Sequence, residues 1–111
     1  MRIQLFVSPG DAALEAQARA LIDAALAAAG VADAAIEVLR VASDDEAMRH
    51  RCLGSPTIRV EGFDVEYAER EPPERTAGAR YYSTPAGWQR LPEQGMILFA
   101  INEARLRLAG R

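Results

Sequence analysis

Cys52 is the single thiol in the chain, lying between Arg51 and Leu53 and four residues before Pro56. The thiolate is the reactive form of cysteine, and nearby cations such as Arg49 and Arg51 favour it. One chemistry on offer is therefore a monothiol or glutathione-dependent redox reaction through Cys52. Unpaired cysteine is also among the most buried residue types, and a small packing residue is the expectation here. Dithiol exchange needs an attacking thiol of low pKa and a second thiol to resolve the mixed disulfide. One cysteine cannot supply both, so a dithiol oxidoreductase is not expected.

The remaining reactive residues point to structure before catalysis. His50 has no second His or Cys at metal-ligand spacing, which disfavours a zinc site; it reads as a solvated helix-face histidine. Asp11 could act as a general acid or base, yet an acidic residue in the first turn of a helix commonly serves the open N–H groups and the dipole. Asp44-Asp45-Glu46 could suggest a cation site and is read the same way. No metal and no cofactor is implied. Trp88 and Tyr81-Tyr82 could form a binding patch or simply pack.

Composition narrows the function class. All 13 basic residues are Arg, the formal net charge is −3, and no basic cluster is present, which argues against a nucleic-acid-binding surface. The apolar opening Met1 to Val7 is far too short for a signal-peptide core or a membrane span. With one cysteine and so no internal disulfide, a cytoplasmic protein with no membrane partner is expected. Half of the 111 residues are apolar, enough for a single ordinary domain over 1–111.

These residues must be carried by an alternation of strands and helices. Ile3, Leu5 and Val7 mark a first strand ending at Ser8-Pro9-Gly10. Ser8 as N-cap, Pro9 as first helical residue and Asp11 in the first turn predict that a helix starts there. Leu14, Ala18, Leu21, Ile22, Ala25 and Ala29 give it an apolar face, and Gly30 provides a left-handed cap. Ile36 to Val41 is a second, parallel strand. Ser43 and Glu46 form a capping box for a short helix from Asp44 to Arg51. Thr57 to Val60 is a third strand, followed by a turn at Glu61-Gly62-Phe63-Asp64. Glu66 to Gly78, with Pro72-Pro73, reads as a long surface loop, functional or mobile. Arg80 to Ser83 is expected as a fourth strand, and Pro92 opens a last helix with a stripe of Met96, Ile97, Ala100, Ile101 and Ala104.

The order β-α-β-α-β-β-α, with Gly54-Ser55-Pro56-Thr57-Ile58 leading into the third strand, resembles the thioredoxin and glutaredoxin fold over nearly the whole chain. Gly54 to Val60, then Gly62 and Asp64, then Arg80 and Tyr82, is similar to small bacterial thioredoxin-like proteins grouped with alkylmercury lyase. The resemblance implies an α/β domain with a four-stranded mixed sheet, helices on both faces, and a cis Pro56 facing the loop after the first strand, with the third strand antiparallel to the first and to the fourth. Where that group carries Cys-x-x-Cys, Asp11 and Leu14 stand here, and Ala79 stands for its third cysteine. Carbon–mercury protonolysis, which requires paired thiolates, is therefore not expected either.

What the resemblance leaves is a groove. It implies that the main chain of Ser55 faces outward beside the cis-proline, free to pair with an extended peptide, while the helix start directs its N–H groups at the same place. The expected ligand residues are Ser8, Gly10, Asp11, Ser55 and Pro56, with Arg80 as fixed cation and Tyr82 beside it. The leading expectation is a non-catalytic binding or regulatory module for a protein or a small anionic ligand. The alternatives are the Cys52 activity and an interaction subunit or homodimer docking through Met96 to Ile101.

Overall fold

The computed structural model describes residues 1–110. Its strands and helices run β1 (Arg2–Val7), α1 (Ala12–Ala29), β2 (Ala35–Arg40), α2 (Asp44–His50), β3 (Leu53–Ser55), β4 (Thr57–Val60), β5 (Phe63–Asp64), β6 (Thr76–Ala79), β7 (Tyr82–Thr84), β8 (Gly87–Gln89) and α3 (Gln94–Ala109). The main sheet is mixed and has the order β2-β1-β4-β5. β1 is central, parallel to β2 and antiparallel to β4 with Leu5 opposite Ile58.

Side chains alternate across a strand, and this divides β1 between two cores. Ile3, Leu5 and Val7 pack with Ile58 and Val60 against Ile22 of α1 and Ile97 and Ile101 of α3. Phe6 points the other way, to Val41, Ala47 of α2 and Cys52. Helices therefore cover both faces. Each fully buried Ile or Leu contributes about 1.5–3 kcal/mol of apolar transfer, so the α1/α3 face holds most of that stabilisation. Among the described residues no helix is long and apolar enough to cross a membrane.

Three expectations about the elements are corrected. The first helix begins at Ala12 with Asp11 as N-cap, because Ser8-Pro9-Gly10 closes a separate turn in which Asp11 N–H donates to Ser8 O at 3.0 Å. The strand beside β4 is Phe63–Asp64, where a turn was expected, with Val60 opposite Phe63. Glu61 and Gly62 both hold positive φ, 49° and 85°, the backbone of a two-residue hairpin whose twist matches its strands. Tyr82–Thr84 instead pairs with Gly87–Gln89 in a hairpin outside the main sheet. Finally, the long loop contains β6, parallel to β3 with Leu53 opposite Thr76 and Ser55 opposite Ala79.

The stripe on the last helix is spent on the core. Ile97, Ile101 and Ala104 are buried and Met96 and Ala100 half-buried, so these positions of the stripe face the core. The apolar residues that α3 leaves exposed are Phe99, Leu106 and Leu108.

Candidate functional site

The Ser55–Pro56 peptide is cis and sits where β3 passes into β4, opposite the start of α1. Ser55 Oγ donates to Asp11 Oδ2 at 2.8 Å and accepts from Ser8 N–H at 2.8 Å. Asp11 makes no side-chain cap bond to its own helix, because its carboxylate is turned across the gap to Ser55. A third partner comes from the far end of the chain: Arg90 Nη2 donates to Asp11 Oδ2 at 3.1 Å and to Ser55 O at 3.0 Å. The result is one connected hydroxyl, carboxylate and guanidinium network at the helix start.

Ser8, Asp11, Ser55 and Pro56 are thus brought together, with Gly10 exposed in the adjoining turn. Arg80 and Tyr82 are not part of the opening. The Arg80 guanidinium is buried and pairs with Asp64 through two bonds of 2.6 and 2.8 Å, flanked by the rings of Tyr82 and Tyr67 at 4.1 and 5.2 Å. Burial works against its charge, but the bonds to Asp64 outweigh this and raise its pKa above the ordinary arginine value. Tyr82 is wholly buried, donates to Pro56 O at 2.6 Å, and has its phenol pKa pushed up, chiefly by burial. Both residues hold the proline loop from behind.

The main-chain edge of Ser55, expected to be open, is occupied by the chain itself. Arg80 N–H donates to Ser55 O at 2.9 Å and Thr76 N–H to Cys52 O at 3.0 Å, as rungs of the β3–β6 pairing. The Asp44 carboxylate holds β6 in place, accepting from Ala77 N–H at 3.0 Å. A peptide could add to this edge only by displacing β6.

Cys52 is 1 % exposed, its thiol donating to Gly54 O at 3.4 Å. The expected outcome with a thiol reagent is labelling at least about a thousandfold slower than for a free thiol, since labelling must await an opening of several kcal/mol. Stopped-flow labelling with and without urea measures this. Fast native labelling would restore the monothiol reading. Ser55, equally enclosed at 1 % exposure, lacks the solvent access that a serine nucleophile needs.

Arg90 was missed by sequence reasoning, because it stands 79 residues from Asp11 and 35 from Ser55 and no local spacing links them. It also lines a cleft of about 640 Å³ between α1 and the segment entering α3, whose apolar side is Leu14, Leu21, Leu91 and Pro92. Its Nε is buried without a partner, and the Tyr81 ring lies 5.7 Å from the guanidinium. Trp88, 70 % exposed, projects from the same hairpin region. Compared with family models, with curated proteins and with solved structures, the chain finds no match in any of the three.

Proposed function

We propose that this chain is a thioredoxin-like domain that binds instead of reacting, taking a small carboxylate, free or borne by a protein partner, in the cleft that ends at Arg90. The observation that carries the reading is the Asp11–Ser55–Arg90 network opposite cis-Pro56. Arg90 Nη1 takes no part in these bonds and is not among the sealed nitrogens, and the guanidinium stands at the end of an apolar trough. Such a site suits an amphipathic acid, whose chain covers Leu14 and Leu91 while its carboxylate meets the guanidinium fork.

Hexanoate is a suitable probe for amide chemical-shift titration. Saturable shifts at Leu14, Gln17, Arg90 and Leu91 are expected, and Arg90→Ala should weaken binding by about tenfold, the value of one charged hydrogen bond in a half-sheltered site. Unchanged affinity in Arg90→Ala would remove the reading. Dithiothreitol-driven reduction of a protein disulfide is expected to stay at the uncatalysed rate; catalysis abolished by Cys52→Ser would overturn a binding-only domain.

A further inference from the structure

The face of the sheet turned away from α1 and α3 holds a second cleft, of about 260 Å³, in which Arg2, His50, Arg51 and Arg59 stand around Phe6 and Leu39. Its lining includes no carboxylate, in a chain whose net charge is −3. The rim carboxylates are engaged already: Glu37 with Gln4 and Arg2, and Glu61 with the main-chain N–H of Arg2.

Arg59 is the fixed point of this cleft. Its side chain is 5 % exposed, and Nε and Nη2 reach the two oxygens of Glu71 at 3.0 and 2.9 Å. Nη2 also donates to the carbonyl of Arg51, and the guanidinium lies 5.2 Å from the Phe6 ring centre. Nη1 has no partner among the described residues, yet it is not sealed off as the Nε atoms of Arg80 and Arg90 are. Arg59 lines the cleft, and Nη1 is the donor nitrogen it has left. Glu71 is itself 7 % exposed and is approached by Arg51 at 3.6 Å and Arg75 at 3.7 Å besides Arg59. One buried carboxylate thus faces three guanidinium groups and cannot balance them all.

We propose that this cleft is a binding site for a small phosphate, held by Arg59 Nη1 with Arg51, Arg2 and His50 closing over it. Guanidinium forks match the geometry of phosphate oxygens, and the anion would supply the charge that Glu71 cannot. The volume lies just under the range of about 300–1,000 Å³ typical of organic-ligand pockets, which admits inorganic phosphate or a compact phosphomonoester and excludes a dinucleotide. Phe6 and Leu39 offer an apolar surface to an ester group.

The test is an amide chemical-shift titration of the full chain with inorganic phosphate and with phenyl phosphate. Saturable shifts at Gln4, Phe6, Arg51 and Arg59 are expected, weakening as salt is added. Tighter binding of phenyl phosphate identifies an ester ligand, and equal binding identifies free phosphate. Arg51 is largely exposed and holds a left-handed backbone, φ 59°, that asparagine tolerates. Arg51→Asn should therefore leave the fold intact and weaken phosphate by about tenfold. Arg59→Lys keeps a charge but removes Nη1 and should weaken it further; if that variant does not fold, the Arg51→Asn measurement decides. Shifts that never saturate, an affinity unchanged in Arg51→Asn, or shifts confined to Asp11 and Arg90 would each overturn the site.

Discussion

Replacing Asp64 with alanine is expected to destabilise the fold by about 3–5 kcal/mol, the cost of leaving a buried charge without its partner. The Asp64 and Arg80 side chains are 0 % and 4 % exposed. Besides gripping Arg80, the carboxylate accepts from the N–H groups of Glu66 and Tyr67, each at 2.9 Å. Without it the guanidinium keeps Glu66 at 3.4 Å as its nearest anion, between aromatic rings that exclude water. Urea denaturation followed by circular dichroism reads the loss as a lower midpoint at constant slope. The double variant Asp64→Ala with Arg80→Met removes both charges and should recover much of the stability, since apolar replacement of a buried pair is often neutral or better. A loss below about 1 kcal/mol in Asp64→Ala would mean that solvent reaches Arg80, as at an exposed ion pair.

Gly54→Ala should be of similar size, about 2–6 kcal/mol, because backbone strain of about 1–3 kcal/mol and overpacking of about 1–3 kcal/mol act together there. Gly54 holds φ +112°, and an added Cβ would lie 2.9 Å from Arg80 Cβ and 3.1 Å from Gly78 O. Neither neighbour is the far end of a flexible side chain, so relief requires β6 to move off β3. The same denaturation measurement applies, with hydrogen exchange as a local readout. The amides of Thr76 and Arg80, which donate to Cys52 O and Ser55 O, should lose protection before those of β1. Unchanged exchange at Thr76 and Arg80 would show that β6 tolerates the intrusion.

Signals that act over a few residues were legible in the sequence. Thr57–Val60 was read with its observed bounds, and α2 was read from Ser43, whose hydroxyl accepts from Glu46 N–H at 3.2 Å. Alternation at Ile3, Leu5 and Val7 and the spacing of Ala18, Ile22 and Ala25 correctly marked what α1 and β1 bury. These patterns survive because burial period and capping chemistry are properties of a local stretch. The strand Phe63–Asp64 escaped because a two-residue element has no period to detect.

The site was legible only in part. Ser8, Asp11 and Ser55 were named as neighbours, and the structure joins them. The cation beside them turned out to be Arg90, while Arg80 is spent on Asp64. Every arginine carries the same charge and reach, so the chain alone does not say which one meets which carboxylate. Tertiary packing decides it, because a guanidinium leaves water only where the fold has already brought an acid to it. The closure of the Ser55 edge by β6 has the same origin. A strand such as Thr76–Ala79 has little apolar pattern of its own and forms because β3 presents unpaired N–H and C=O groups that must be satisfied. Composition thus determined the absence of a second thiol and local patterning the longer helices and strands, while long-range pairing decided the short strands and which surfaces stayed open for a ligand.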